Sequence, residues 1–291
     1  MLTYVIPPLP HLSDLIMHLL VVDLDDGVSL LPASLCPSLM LFVRGSAQIV
    51  NDDGSRTESH RFFLRGPFLS PTRVTYEPGT ISLSVCLKPG MLQQTLGISA
   101  ASVTGSSIRM DELISNEKTD ALLHAIEEVN ARYDGRISAT HAHELSTLFQ
   151  RFLLNNLHHK KNNHLGAAFL AARQKLFFPL ADLSDYFGIG QRQLERRVRE
   201  TFGVTLRDVR RIARFGLCLP LIVDQSLSWG DLTRVAHESG YYDQAHMHRE
   251  FVELVGIPPM QLLQKIASSD PAYWIFRLSN TEFRQLFIPV E

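Results

Sequence analysis

The chain has 291 residues, 45% of them hydrophobic and 20% charged, with Lys+Arg 28 against Asp+Glu 30. That is the composition of a folded globular protein long enough for two cores, and a net charge of −2 lends no support to a nucleic-acid role by itself. No apolar run approaches the roughly 20 residues of a membrane span, and the N-terminus lacks the basic-then-apolar order of a signal peptide. Cys36, Cys86 and Cys218 form no CxxC pair and no zinc spacing, which points to a reduced compartment and no metal site.

Residues 1–110 read as a β domain. Residues 39–43 are an apolar run, Gly45-Ser46 turns into 47–50, and Asn51-Asp52-Asp53-Gly54 is a hairpin signal. Residues 61–64 and 73–76 are short strands between Gly and Pro punctuation. Over 81–87 the alternation is strict, so Ile81, Leu83, Val85 and Leu87 should face a core. Short strands of this kind predict a sandwich or small barrel. Phe42, Phe62, Phe63, Phe68 and Tyr76 either line a ligand cavity or fill that core, and the sequence leaves both open.

Residues 111–166 read as a helical connector. Leu122, Ile126, Val129 and Tyr133 recur about once per turn, and Leu145, Leu148, Phe149, Phe152 and Leu153 form a second stripe over 141–157. Both stripes fit either a homodimer seam or packing back on the β domain. The polar run 158–164 has no periodicity and reads as a linker.

Residues 167–266 read as an all-α module with two helix-turn-helix units. A first helix is expected over 167–176. Another covers 180–187, Gly188-Ile189-Gly190 makes a turn, and 191–202 is the next helix. In it Leu194, Val198 and Phe202 point inward, leaving Arg192, Glu195, Arg196 and Arg199 outward. A long helix over 209–221 should bend or end near Leu219, because Pro220 removes a hydrogen bond and clashes with the preceding turn. Next, Leu232, Val235 and Ala236 give a short helix an apolar face, Gly240 breaks it, and Asp243 is placed to cap another. Met247, Phe251 and Leu254 bury that helix, while Gln244, His246 and Arg249 form its polar face. The module holds 13 basic and 11 acidic side chains between 170 and 265, so a DNA role would rest on where the arginines sit. The C-terminal extension, 267–291, carries Tyr273, Trp274, Phe276, Phe283 and Phe287, too aromatic for a disordered end.

Val235-Ala236, Gly240-Tyr241, Asp243, the Met247/Arg249/Phe251 run, Gly256 and Pro258 together resemble the second helix-turn-helix of AraC-type transcription regulators. The first unit resembles its counterpart less closely: Ser184 stands for a usual Ala, Gly190 for a capping Ser, Val198 for a Phe, and Leu206 for a common Pro. The fold implied is α+β: an N-terminal small β barrel or sandwich of cupin-like type, the helical connector, and an all-α double helix-turn-helix domain. A metal-holding cupin would carry a close His-x-His set with a Glu and a later His, whereas His11 and His60 stand alone, so neither metal nor cofactor is expected. The resemblance implies a sequence-specific DNA-binding regulator, an activator in the bacterial cytoplasm, that reads two successive major grooves of double-stranded DNA. Residue for residue, Arg192, Glu195, Arg196, Gln244, Ala245, His246 and Arg249 match base-facing positions. Arg199, Arg211 and Arg214 suit phosphates. RNA polymerase, a small-molecule effector in the β domain and a second copy of the chain enter as candidate partners.

Two other classes compete. A DNA-repair enzyme on an AraC-like scaffold would need a cysteine cluster or a reactive acceptor thiol, and the three cysteines lie in apolar runs. A ligand-binding regulatory protein whose degenerate module acts through protein partners is favoured by the small basic excess, by Glu195 and by Pro220.

Overall fold

The computed structural model describes residues 1–25, 27–157, 168, 175–223 and 230–278. The linker at 158–164, residues 167 and 169–174 of the helix expected over 167–176, and Phe283 and Phe287 lie outside the described residues. The N-terminal half is two antiparallel sheets. Its strands are β1 (Leu2–Ile6), β2 (Ile16–Leu24), β3 (Gly27–Leu31), β4 (Ser38–Arg44), β5 (Ala47–Val50), β6 (Arg56–Glu58), β7 (Phe62–Arg65), β8 (Thr72–Tyr76), β9 (Thr80–Leu87) and β10 (Ser107–Arg109). One sheet runs β1-β2-β9-β4-β7-β10 and the other β3-β8-β5-β6. Of the two architectures expected, the described residues form the sandwich; no closed barrel is present among them.

The larger sheet is covered on both faces. On one, Leu19, Val21, Leu39, Leu41, Ile81, Leu83, Val85 and Leu87 join α2 (Asn116–Asn130) and α3 (Ala139–Asn156) in a single core. A five-residue helix, α1 (Leu92–Leu96), precedes them. Of the two fates open to the connector stripes, these residues take packing on the sheet. Phe62 meets Phe149 and Phe152 with ring centroids 5.5 and 5.9 Å apart. On the other face Phe42 and Phe63 pack with Ala47 and Val74 of the smaller sheet, and Arg65 lies over the Phe68 ring at 4.1 Å. Phe42, Phe62 and Phe63 fill the core, while Phe68 is half-buried and Tyr76 packs at its edge.

One consequence of that packing is pH-dependent. His141, at the start of α3, is buried, stacked on Tyr133 at 4.3 Å, and its Nε2 has no hydrogen-bond partner among the described residues. Burial lowers its pKa, with the Arg44 charge acting the same way. The unfolded chain therefore takes up this proton before the folded one does. Stability should fall as pH drops below the unfolded histidine value of about 6.5 and level off once the folded histidine also titrates. His141→Phe should flatten that limb in urea unfolding compared at neutral and mildly acidic pH; an unchanged slope would refute the assignment.

The C-terminal half is helical: α4 (Leu180–Phe187), α5 (Gln191–Phe202), α6 (Leu206–Val223), α7 (Asp231–Glu238), α8 (Gln244–Val255) and α9 (Pro259–Ala267). Of the bend or end expected near Leu219, the end is corrected: α6 runs through Pro220 to Val223. Cys218, Leu219, Pro220 and Ile222 are all buried, and Cys218, Leu219 and Ile222 share a core with α7 and α8. Tertiary packing there offsets the hydrogen bond that proline cannot make. A 3-10 segment (Pro271–Arg277) folds back on β3, where Trp274 Nε1 donates to Ser29 Oγ at 2.9 Å.

Candidate nucleic-acid interface

Each short helix pair is set by residues that only a tight turn needs. Between α4 and α5, Gly188 adopts φ 63°, the left-handed region open to glycine, and Gly190 starts α5 with no side-chain cap. Helix α5 holds its position through Leu194, Val198 and Phe202, which are fully or almost fully buried against Leu183, Val209 and Leu35. Between α7 and α8, Gly240 has φ 79° and the Asp243 carboxylate accepts from the His246 N–H at 2.6 Å, the cap expected for this helix. Helix α6 bridges the pairs; its 18 residues give a rise of about 27 Å.

Arg192, Glu195, Arg196 and Arg199 fall at i, i+3, i+4 and i+7 of α5 and all are exposed. Arg196 reaches Glu200 only at 3.8 Å, with both side chains about two-thirds exposed, a pairing too solvated to hold the arginine back. On α8 the picture divides. Ala245 and Arg249 are exposed, as is His248, which residue matching overlooked. Gln244 is half-buried, its Oε1 accepting from Thr233 Oγ1 at 3.1 Å. His246 is also half-buried and turns along its own helix, placing Nε2 3.3 Å from Glu250 Oε1. Tyr242, in the turn ahead of α8, is 85% exposed.

Arg211 and Arg214 are engaged within the domain. Both side chains are only 16% exposed and face inward to α8. Arg214 Nη2 donates to Glu250 Oε1 at 3.0 Å and its guanidinium lies 5.5 Å from the Tyr241 ring centroid. Arg211 Nε approaches the same oxygen at 3.5 Å and also pairs with Glu253 and, at 3.6 Å, Asp208. Glu250 is the acceptor both arginines share, with His246 Nε2 beside the same oxygen, on the buried side of α8 near Met247 and Phe251. Arg211 and Arg214, expected on phosphates, are thus held by carboxylates of α8 in this structure.

The β domain grips both outward helices at their C-terminal ends. Gly203, just past α5, approaches Ala100 and Thr104, and Thr104 Oγ1 donates to the Gly203 carbonyl at 3.2 Å. At the end of α8, the Ala33 N–H donates to Leu254 O at 2.8 Å, with Leu30 and Ala33 in the same core.

Residues 183–265, which span both pairs and their bridge, match the profile of a helix-turn-helix domain. That segment is thus an AraC-type helix-turn-helix domain. The AraC-type segment ends within α9, and residues 4–109, the sandwich, match a domain of unknown function (DUF6597). No curated protein matches the chain. Similar solved structures include a point variant of apo ToxT from Vibrio cholerae strain SCE256, at 13% identity and TM-score 0.48, covering 85% of this chain and 96% of that one. Unsaturated fatty acid bound wild-type ToxT from the same strain has 14% identity and TM-score 0.45, over 84% and 93% of the two chains. The AraC-like transcriptional activator CuxR has 17% identity and TM-score 0.30, over 69% and 76%. No described helix is long and apolar enough to cross a membrane. An AraC-type helix-turn-helix domain is a DNA-binding module.

Proposed function

We propose that this chain reads a specific duplex sequence with α5 and α8 in successive major grooves, and that the sandwich is its control half. The observation that carries the reading is the exposed row Arg192, Glu195, Arg196, Arg199 on a helix whose opposite face is wholly buried. Arg192 and Arg196 would pair with guanine edges, and Glu195 would accept from cytosine N4, narrowing sequence choice at some cost in affinity. On the second reader Ala245, His248 and Arg249 form the outward face, Gln244 offers its amide from the helix start, and His246 stands half behind them. Arg199 and Tyr242 suit phosphate oxygens. Arg211 and Arg214 hold α8 instead. Because the sandwich touches the ends of both readers, an effector that shifted it would change their relative setting directly.

Arg196→Ala and Arg249→Ala should each weaken binding to the selected site about 10- to 100-fold, since a bidentate base contact is worth about 1–3 kcal/mol, with thermal unfolding unchanged. Sites would first be selected from a random duplex pool, then titrated by gel shift at fixed salt. Failure to enrich any sequence would favour the protein-partner reading, to which Glu195 and the small basic excess lend weight.

A further inference from the structure

Cys36 and Cys86 are 50 residues apart in the chain but meet across the larger sheet. Ser38 of β4 lies opposite Cys86 of β9, and the Leu87 N–H donates to Pro37 O at 2.9 Å, continuing the ladder one residue beyond the strand. Cys36 is thereby the diagonal neighbour of Cys86 on one face of the sheet, close enough for each thiol to perturb the other. Met17 arrives from the third strand. A register shift between Ile16 and His18 breaks the regular pairing of β2 at this residue, and such bulges re-aim side chains. Its Sδ is 3.5 Å from Cys36 Sγ. Three sulfur atoms from β2, β9 and the segment ahead of β4 converge.

We propose that Met17, Cys36 and Cys86 form a site for a soft monovalent cation, Cu(I), held by two thiolates and a thioether. Sulfur-only donor sets select such ions over hard cations. Among the described residues no group of three His, Cys, Asp or Glu side chains is arranged for a metal, so zinc, which takes four N, S or O ligands, finds no complete set here. Cys36 and Cys86 are both free thiols, not joined as a disulfide.

Loading exchanges the two thiol protons for one Cu(I), leaving a complex of net charge −1 at the site. Ser34 Oγ stands beside the site, accepting from the Cys36 backbone N–H at 3.1 Å. Cys218, in α6, is remote from this set and packs on Met247 in the second reader's core, its Sγ 3.4 Å from Met247 Sδ.

The test is anaerobic titration of the reduced full-length protein with Cu(I) buffered by bathocuproine disulfonate. The parent should withdraw one equivalent from the chelator and develop a near-ultraviolet thiolate-to-copper band. Cys36→Ser and Cys86→Ser should each lose more than the roughly 10- to 100-fold in affinity that loss of an outer partner costs a metal site. Met17→Leu, nearly isosteric and so expected to fold, should bind more weakly while keeping the band. Cys218→Ser should match the parent. If the parent leaves copper with the chelator, or if Cys36→Ser binds as the parent does, the assignment is wrong. None of these readouts depends on whether the chain binds DNA.

Discussion

Glu250→Gln is expected to destabilise the C-terminal domain by about 2–4 kcal/mol, because it leaves two mostly buried guanidiniums without their shared charge. The carboxylate is about 10% exposed and Arg211 and Arg214 about 16%, so solvent does little to replace it. Glu253, 62% exposed, pairs with Arg211 from the rim and cannot substitute. The amide keeps the shape but turns a donor toward donors. Its loss should also reach function, since Glu250 fixes the rotation of α8 against α6 and thereby aims Ala245, His248 and Arg249 outward. Two measurements separate this from a phosphate role for the arginines. A double-mutant cycle of Glu250→Gln with Arg214→Gln in urea unfolding should give a coupling of about 1–3 kcal/mol. The salt dependence of DNA affinity should keep its slope in Arg214→Gln, whereas loss of a phosphate contact would lower it by about 0.9. Additive stabilities together with a reduced slope would return Arg214 to the backbone of the DNA.

Why sequence reasoning placed the second reader's turn and cap but missed this network follows from range. Gly240 and Asp243 act on their own neighbours, a left-handed turn and an orphan N–H three residues on, so their chemistry is local and legible. Arg211 and Glu250 are brought together by the packing of α6 on α8, and nothing in either helix alone announces the partner. His246 and His248 illustrate a nearer miss. Met247, Phe251 and Leu254 fix the buried side of α8, and a helical wheel drawn from them turns His248 outward; matching positions to a family pattern selected His246, which the structure leans toward Glu250.

The β domain divides in the same way. Strand β9 alternates because Ile81, Leu83, Val85 and Leu87 face the helices while Thr80, Ser82 and Ser84 face the other side, and it was readable by period. Strand β2 is Ile-Met-His-Leu-Leu-Val-Val-Asp-Leu, buried on both faces, with Leu19 and Val21 in one core and Leu20, Val22 and Leu24 in another. A strand covered on both sides has no polar face and so no period-2 signal. The amphipathic stripes of α2 and α3 were visible for the opposite reason, though a stripe says only that it is buried, not against what.

Gly203→Ala should cost about 3 kcal/mol, and its excess over Gly188→Ala measures the grip of the sandwich on the first reader. Both glycines end a helix in the left-handed region, Gly188 at φ 63° and Gly203 at φ 75°, so an alanine at either pays the same backbone penalty of about 1–2 kcal/mol. They differ in surroundings. A Cβ on Gly188 would meet nothing within 4 Å, whereas one on Gly203 would stand 2.6 Å from the Ala100 carbonyl oxygen and 2.3 Å from Thr104 Oγ1. Thr104 can rotate away at the loss of its bond to the Gly203 carbonyl, but the Ala100 carbonyl is backbone and must move with its loop. Overpacking of this kind adds about 1–3 kcal/mol, and relief comes from parting α5 from the 100–104 segment. Urea unfolding of the two variants should therefore differ by that increment, and amide exchange around residues 100–104 should quicken in Gly203→Ala alone. Equal costs and unchanged exchange would mean that the two halves of the chain are not held together at this contact, and that any signal from the sandwich reaches the readers through Ala33 and Leu254.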